Sequence, residues 1–154
     1  MRIAHLNGCP QHLPTIAEWQ HTEFSYLNPS VTIAQRQERL QASLQGSGLP
    51  LTLVALAEDG HPVGAASILP KTITHAHLTP WLSTVVVPEA FRGQGIASQL
   101  SLRAAQEAQR LGFKDLYLFT PRNASLYRRL GWASIETSDL HGMEITIMGR
   151  PTTT

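Results

Sequence analysis

Residues 82–100, reading LSTVVVPEAFRGQGIASQL, constrain this chain more than any other stretch, because an apolar strand runs into a glycine-bearing turn that opens an amphipathic helix. Val85, Val86 and Val87 favour a pleated, half-buried backbone, and Pro88, which has no N–H to give to a ladder, ends the strand. Gly93 and Gly95 carry no Cβ, so the backbone of the turn lets a ligand come close. The first N–H groups of the helix that follows have no partners inside it, and no acidic side chain occupies its first turn. With about half a positive charge at the helix N-terminus and Arg92 beside it, the turn forms a cradle for phosphate oxygens. Ala97, Leu100, Ala104, Ala108 and Leu111 share one helix face, and Gly112 is the stop signal.

The segment Arg92-Gly93-Gln94-Gly95-Ile96-Ala97 resembles the Arg/Gln-x-x-Gly-x-Gly/Ala signature of the GNAT superfamily of acyl-CoA-dependent N-acetyltransferases. A short strand at 116–119 follows the helix. After it, Asn123-Ala124-Ser125-Leu126-Tyr127-Arg128-Arg129-Leu130-Gly131-Trp132 is similar to that family's Asn-x-x-x-Tyr-x-x-x-Gly-Phe segment, with Trp132 in place of Phe. The specific part of the resemblance covers 82–132. A dinucleotide site fits poorly, since the six-position glycine pattern is incomplete and 109–113 lacks the ribose-binding acid. No Gly-Lys-Ser/Thr follows the turn, as a nucleotide-triphosphate loop requires.

At 154 residues the chain reads as one domain over 1–150 with a frayed tail at 151–154, long enough to bury a core without metals or disulfides. A net charge of +1 and a charged fraction of 15% give no basic stripe, so nucleic acid is not an expected partner. The lone Cys9 excludes an internal disulfide and suggests a reducing compartment; with no apolar leader or membrane span visible, the expectation is a cytoplasmic protein.

Strands are expected at 2–6, 51–57, 62–69, 82–87 and 116–119, with a strand, turn and strand over 134–148. Asp59-Gly60 marks a hairpin, and Gly64, Ala65 and Ala66 signal close packing in its second strand. Capping boxes at Thr15–Glu18 and Thr32–Gln35 are expected to start two helices, the second with Ile33, Leu40 and Leu44 on one face and Gly46-Ser47-Gly48 at its end. Periodicity alone gives only mixed α and β. The resemblance implies a mixed α/β (α+β) single-domain GNAT fold: a mixed, mostly antiparallel central sheet, splayed between 82–87 and 116–119 and flanked by about four helices.

The resemblance also implies chemistry. Acetyl-CoA would lie in the splay as acetyl donor, its pantetheine amides against the backbone at Val85, Val86 and Val87, its diphosphate against Arg92, Gly93, Gln94, Gly95, Ile96, Ala97 and Ser98, with Asn123 capping its helix and bonding the cofactor. Tyr127 is the candidate catalytic acid: a phenol of pKa about 10 stays protonated at neutral pH and can serve a departing thiolate. Phe24, Tyr26, His77 and Trp81 are the candidate acceptor-side residues. His75 and His77 lack an evident third ligand, so no metal is expected. The implied activity is transfer of acetyl to a primary amine, small-molecule or protein, by direct attack in a ternary complex; a non-catalytic acyl-CoA-binding or sensing domain is the alternative. The strand at 82–87 carries no carboxylate, leaving Glu23, His75, His77 and Asp139 as base candidates. The acceptor, other acyl groups and a homodimer stay open.

Overall fold

The computed structural model describes residues 1–72 and 75–153. In chain order they form β1 (Arg2–His5), α1 (Leu13–Phe24), α2 (Ile33–Ala42), β2 (Leu51–Leu56), β3 (Pro62–Leu69), β4 (Trp81–Val86), α3 (Ile96–Arg110), β5 (Asp115–Thr120), α4 (Ala124–Arg129), β6 (Ala133–Leu140) and β7 (Met143–Pro151). The strands make one sheet in the order β1-β2-β3-β4-β5-β7-β6. Its pairings are antiparallel except that β4 and β5 run parallel. No helix among the described residues is long and apolar enough to cross a membrane.

Alternation along the central strands sorts the core onto two faces. Leu53, Ala55, Ala66 and Ile68 pack with Ile96, Leu100, Ala104 and Ala108 of α3. Val54, Leu56 and Ala65 pack with Leu13, Ile16 and Ala17 of α1 and Leu40 of α2. With helices on both sides, β2 is buried along its whole length. The small residues of β3 bring α3 close: a Cβ at Gly64 would stand 2.9 Å from Ile96 Cγ2 and 3.3 Å from Leu100 Cδ1. On α3, Ile96 rather than Ala97 occupies the first buried position. At the other end Gly112, with φ +93°, donates to Gln109 O while Phe113 donates to Ala108 O, the paired bonds of a glycine-terminated helix.

The two capping boxes part company. At α2, Thr32 Oγ1 accepts from the Gln35 N–H (3.1 Å) and Gln35 Oε1 accepts from the Thr32 N–H (2.9 Å). At α1 the expected box is absent: a 3-10 turn at Pro10–His12 and Pro14 in the first turn carry the chain into the helix at Leu13, so Thr15 lies inside it. The second helix also ends before the glycines, at Ala42, where Ser43 Oγ donates to Leu40 O (2.6 Å) and accepts from Thr52 Oγ1 (2.8 Å). Ile33, expected on its apolar face, is exposed, and Arg36 shares the buried face with Leu40. Of the tail expected to fray over 151–154, Thr154 lies outside the described residues and the two residues before Thr153 are held. Pro151 completes β7, and buried Thr152 donates its N–H to Lys114 O (2.9 Å) and its hydroxyl to Phe113 O (2.7 Å).

The start of the chain is tied to α3 through buried Glu107, whose carboxylate accepts from His5 Nε2 (2.7 Å), Arg110 Nε (2.7 Å) and Arg103 Nε (3.3 Å). Burial pushes this carboxyl up, but the bonds and charges of His5 and Arg110 outweigh it and hold the group below the usual carboxylate range. A carboxyl depressed in the folded state adds stability that is present above its unfolded-state pKa and lost as pH falls through the folded one. Glu107→Gln is therefore expected to cost on the order of 2 kcal/mol near pH 7. The gap to the parent should close as pH falls below about 4, measured by urea unfolding across a pH series; a gap independent of pH would contradict the linkage.

Candidate active site

The sheet opens between β4 and β5. These strands share one register pair, Trp81 opposite Tyr117, with the Tyr117 N–H donating to Pro80 O at 3.1 Å. Beyond that point they face one another across a cavity of about 490 Å³, with Leu82 to Val85 on one wall and Leu118 to Pro121 on the other. A bulge in the β3–β4 pairing and a φ of +50° at Thr84 re-aim β4 here. The three valines divide their roles accordingly. Val85 lines the cavity, Val86 is sunk in the core beside α1, and Val87 follows the strand with its carbonyl accepting from Arg92 Nε at 2.9 Å.

Downstream of β4 the turn has the backbone its glycines imply, with φ +80° at Gly93 and +78° at Gly95, the residue that caps α3. A Cβ at either glycine would meet nothing within 4 Å. The N–H groups of Gly93, Gln94, Gly95, Ile96, Ala97 and Ser98 have no acceptor among the described residues, and no acid stands in the first turn of α3. These are the donors a diphosphate needs. Arg92 does not lean over them: its guanidinium reaches Val87 O and, at 3.2 Å, the Glu23 carboxylate.

Tyr127 lies on α4 and lines the same cavity. Only 7% of the residue is exposed, its ring meets Trp132 edge-on at 6.0 Å, and burial pushes the phenol up to about 12. Trp132 stands where the resembling segment has Phe, and its buried indole N–H has no partner among the described residues. Asn123 also lines the cavity, but the expected side-chain cap is absent. Thr120 Oγ1 holds the approach to the helix, accepting the backbone N–H groups of Asn123 (2.9 Å) and Arg122 (3.3 Å), both ahead of its first turn, and the Asn123 amide is free of the helix.

On the acceptor side the expectations divide. Phe24 and Tyr26 line the cavity, with the Arg122 guanidinium 4.1 Å above the Tyr26 ring. Trp81 does not: it is buried with Leu140, Ile145 and Ile147, its indole donating to Leu78 O, because its side of β4 faces the third core cluster. His77 is exposed away from the cavity, against His75, whose Nε2 donates to Glu136 at 2.7 Å. Asp139 accepts from the Gly142 N–H and serves its turn. Of the base candidates, Glu23 alone reaches the cavity. Arg36, buried on α2 and lining the cavity, was not anticipated; a cation three residues after Ile33 and four before Leu40, inside an apolar stripe, is the signal that marks it.

A split sheet with an anion-ready turn at the end of one parted strand and a buried phenol in the gap is the plan of an acyl-transfer domain. A sequence model of the acetyltransferase (GNAT) family matches residues 13–132, and the chain belongs to that family. An uncharacterized N-acetyltransferase, YjgM, of Escherichia coli K12 is 33% identical over 82 residues, 51% of this chain and 48% of its own length, so the chain spans about half of that relative. Among solved structures, an aminoglycoside 6'-N-acetyltransferase complexed with coenzyme A has a TM-score of 0.78 at 13% identity, covering 100% of this chain and 98% of its own. A spermidine N-acetyltransferase from Vibrio cholerae in complex with CoA and spermine has 0.74 at 15%, covering 99% and 95%. At such identities these structures share the fold.

Gly95→Val tests the turn. The β-branched side chain would occupy space open to a ligand and cannot hold φ +78° without strain of about 1–2 kcal/mol. The expected outcome is a folded protein with a slightly lower Tm and no measurable CoA binding by calorimetry; unchanged CoA affinity would put the diphosphate elsewhere.

Proposed function

We propose that this chain transfers the acetyl group of acetyl-CoA to a primary amine by direct attack within a ternary complex. The observation that supports this best is the parting of β4 from β5 beside Tyr127, with the unpartnered N–H groups of 93–98 at the end of the same strand. Backbone groups at Val85 and Val87 would receive the pantetheine amides as an added strand would. The carbonyl of Val87 already accepts from Arg92, which leaves its N–H and one carbonyl lone pair for the arm.

In the reaction the neutral amine attacks the thioester carbon, the C–N bond forms, the C–S bond breaks, and the nitrogen gives up one proton while the sulfur gains one. Tyr127 serves the sulfur. With its phenol pushed up to about 12 by burial, it stays protonated across the working range. Full transfer to a thiolate of ordinary basicity would run uphill, so its contribution is a hydrogen bond that strengthens as charge develops on sulfur, and the departing thiolate takes its proton from water, which balances the one the nitrogen gives up. The same dry surroundings disfavour the free thiolate, which narrows the gap between donor and acceptor. Glu23, the carboxylate of the cavity lining, would take the amine proton through water.

Tyr127→Phe keeps the ring against Trp132 and removes the donor. The expected result is a fall in single-turnover rate of roughly 10²-fold or more with acetyl-CoA affinity unchanged. Thiol release over a panel of amines, beside CoA titration of both proteins, measures it. Equal single-turnover rates would reject the role of Tyr127, and CoA binding with no transfer to any amine would favour a sensing domain.

A further inference from the structure

The cavity carries an electrostatic imbalance that acetyl transfer alone does not require. Four of its lining residues are cations, Arg36, Arg39, Lys71 and Arg122, and Glu23 is the one carboxylate among the described lining residues. That carboxylate is turned to Arg92, and none of the four cations has a carboxylate partner among the described residues. Arg36 is the extreme case. It is 4% exposed, its Nε and Nη2 are sealed from solvent without a hydrogen-bond acceptor, and it stands in the wall between this cavity and a second one of about 310 Å³.

A guanidinium stays charged in a protein, and a buried charge left without a partner is costly. Burial and the neighbouring Arg39 both weaken the hold of Arg36 on its proton, so its surroundings supply nothing that favours the charge. Nη1 is the one guanidinium nitrogen not so sealed, and its two N–H groups are the donors Arg36 can offer a carboxylate in the cavity. A polycationic acceptor would meet repulsion here. A cavity of this size suits a small molecule better than a folded protein surface.

We propose that Arg36 is the receptor for a carboxylate on the acceptor, which makes the substrate class of this site the zwitterionic amines, of which free α-amino acids are the simplest. The inference rests on the acetyltransferase reading above and narrows it. Arg36 fixes the carboxylate end from α2, and Arg39, exposed on the same helix, adds attraction at the entrance. The amine is thereby directed toward the opening between β4 and β5, where Tyr127 lines the cavity.

The test pairs each L-amino acid with its α-amide and with the amine lacking the carboxyl group, in thiol-release assays with acetyl-CoA. The amide has the less basic and more readily deprotonated amine, so a preference for the acid must come from recognition of charge. The wild type should favour at least one amino acid over its amide by about 10- to 100-fold in kcat/KM, and Arg36→Met should bring that ratio near one through KM for the acceptor, with KM for acetyl-CoA unchanged. Because Met removes an unpaired buried charge while keeping volume, the Tm of Arg36→Met should hold or rise; a lower Tm with the acid preference intact would make Arg36 structural and overturn the proposal. Equal use of acid and amide by the wild type, a preference for polyamines, or a matched rise in KM for acetyl-CoA, which would assign Arg36 to the donor's phosphates, would each overturn it. Should no amine be acetylated, calorimetry of the CoA-bound protein with the same pairs decides separately. Binding of an acid but not its amide, lost in Arg36→Met, upholds the Arg36 receptor although the transferase reading has failed, and no such binding overturns both.

Discussion

The single register pair between β4 and β5 is the constraint on which the rest of the site depends. On their outer edges β5 is engaged by β7 through six register pairs from Asp115 to Thr120, and β4 by β3 except at the bulge that leaves Thr84 and Val85 without register partners. The inner edges meet at Trp81 and Tyr117 and then part. The sheet is therefore two braced halves joined at one end. Backbone groups that a continuous sheet would consume stay available along the gap, and a buried edge of that kind is a binding surface built from main chain. The third core cluster, with Trp81, Leu140, Ile145 and Ile147 against Tyr117 and Phe119, holds the joined end shut. The parting has a fixed origin as a result, and the distance from it to the turn at Gly93 is set by the length of β4.

Electrostatics divides the molecule in the same way. Where Glu107 is buried, Arg103 and Arg110 of α3 and His5 of the first strand donate to it. Where Arg36 is buried, no carboxylate answers it among the described residues. Two buried ions in one small domain thus have opposite fates: the first is satisfied and joins the chain's start to its longest helix, the second is left for something outside the chain to satisfy.

Much of this was legible in the sequence wherever a local rule had no competitor. The turn at 92–97 needs glycine at two positive-φ positions and has it; Thr32 and Gln35 sit at a true helix start; Gly112 ends α3. Local rules failed where tertiary structure or a neighbour overrode them. Pro14 sits in the first turn of an α1 that starts at Leu13, ahead of Thr15, and the Asn123 side chain makes no cap at α4. Trp81 was read toward the acceptor because strand direction does not reveal which face of a sheet a residue meets, and the face depends on β6 and β7, distant in sequence. Thr152 was read as a loose end because its partners, Phe113 and Lys114, belong to a loop nearly forty residues away. Arg36 is legible only through its place between Ile33 and Leu40, because a charged side chain on a helix is ordinarily solvated and the cavity that this one lines is built from elements distant in sequence.

Gly64 gives the arrangement a last property. Helix α3 carries the donor turn at its N-terminus, and the place where that end presses the sheet is a residue without a side chain, 2.9 Å of clearance from a Cβ to Ile96. The height of the turn above the strands is thus set by an absence of atoms rather than by any bond. A methyl group there would act as a shim under one end of a fifteen-residue rod whose other end is tied to β1 through Glu107 and His5. Core volume at this one position therefore bears on how closely the turn-bearing end of α3 sits over the sheet.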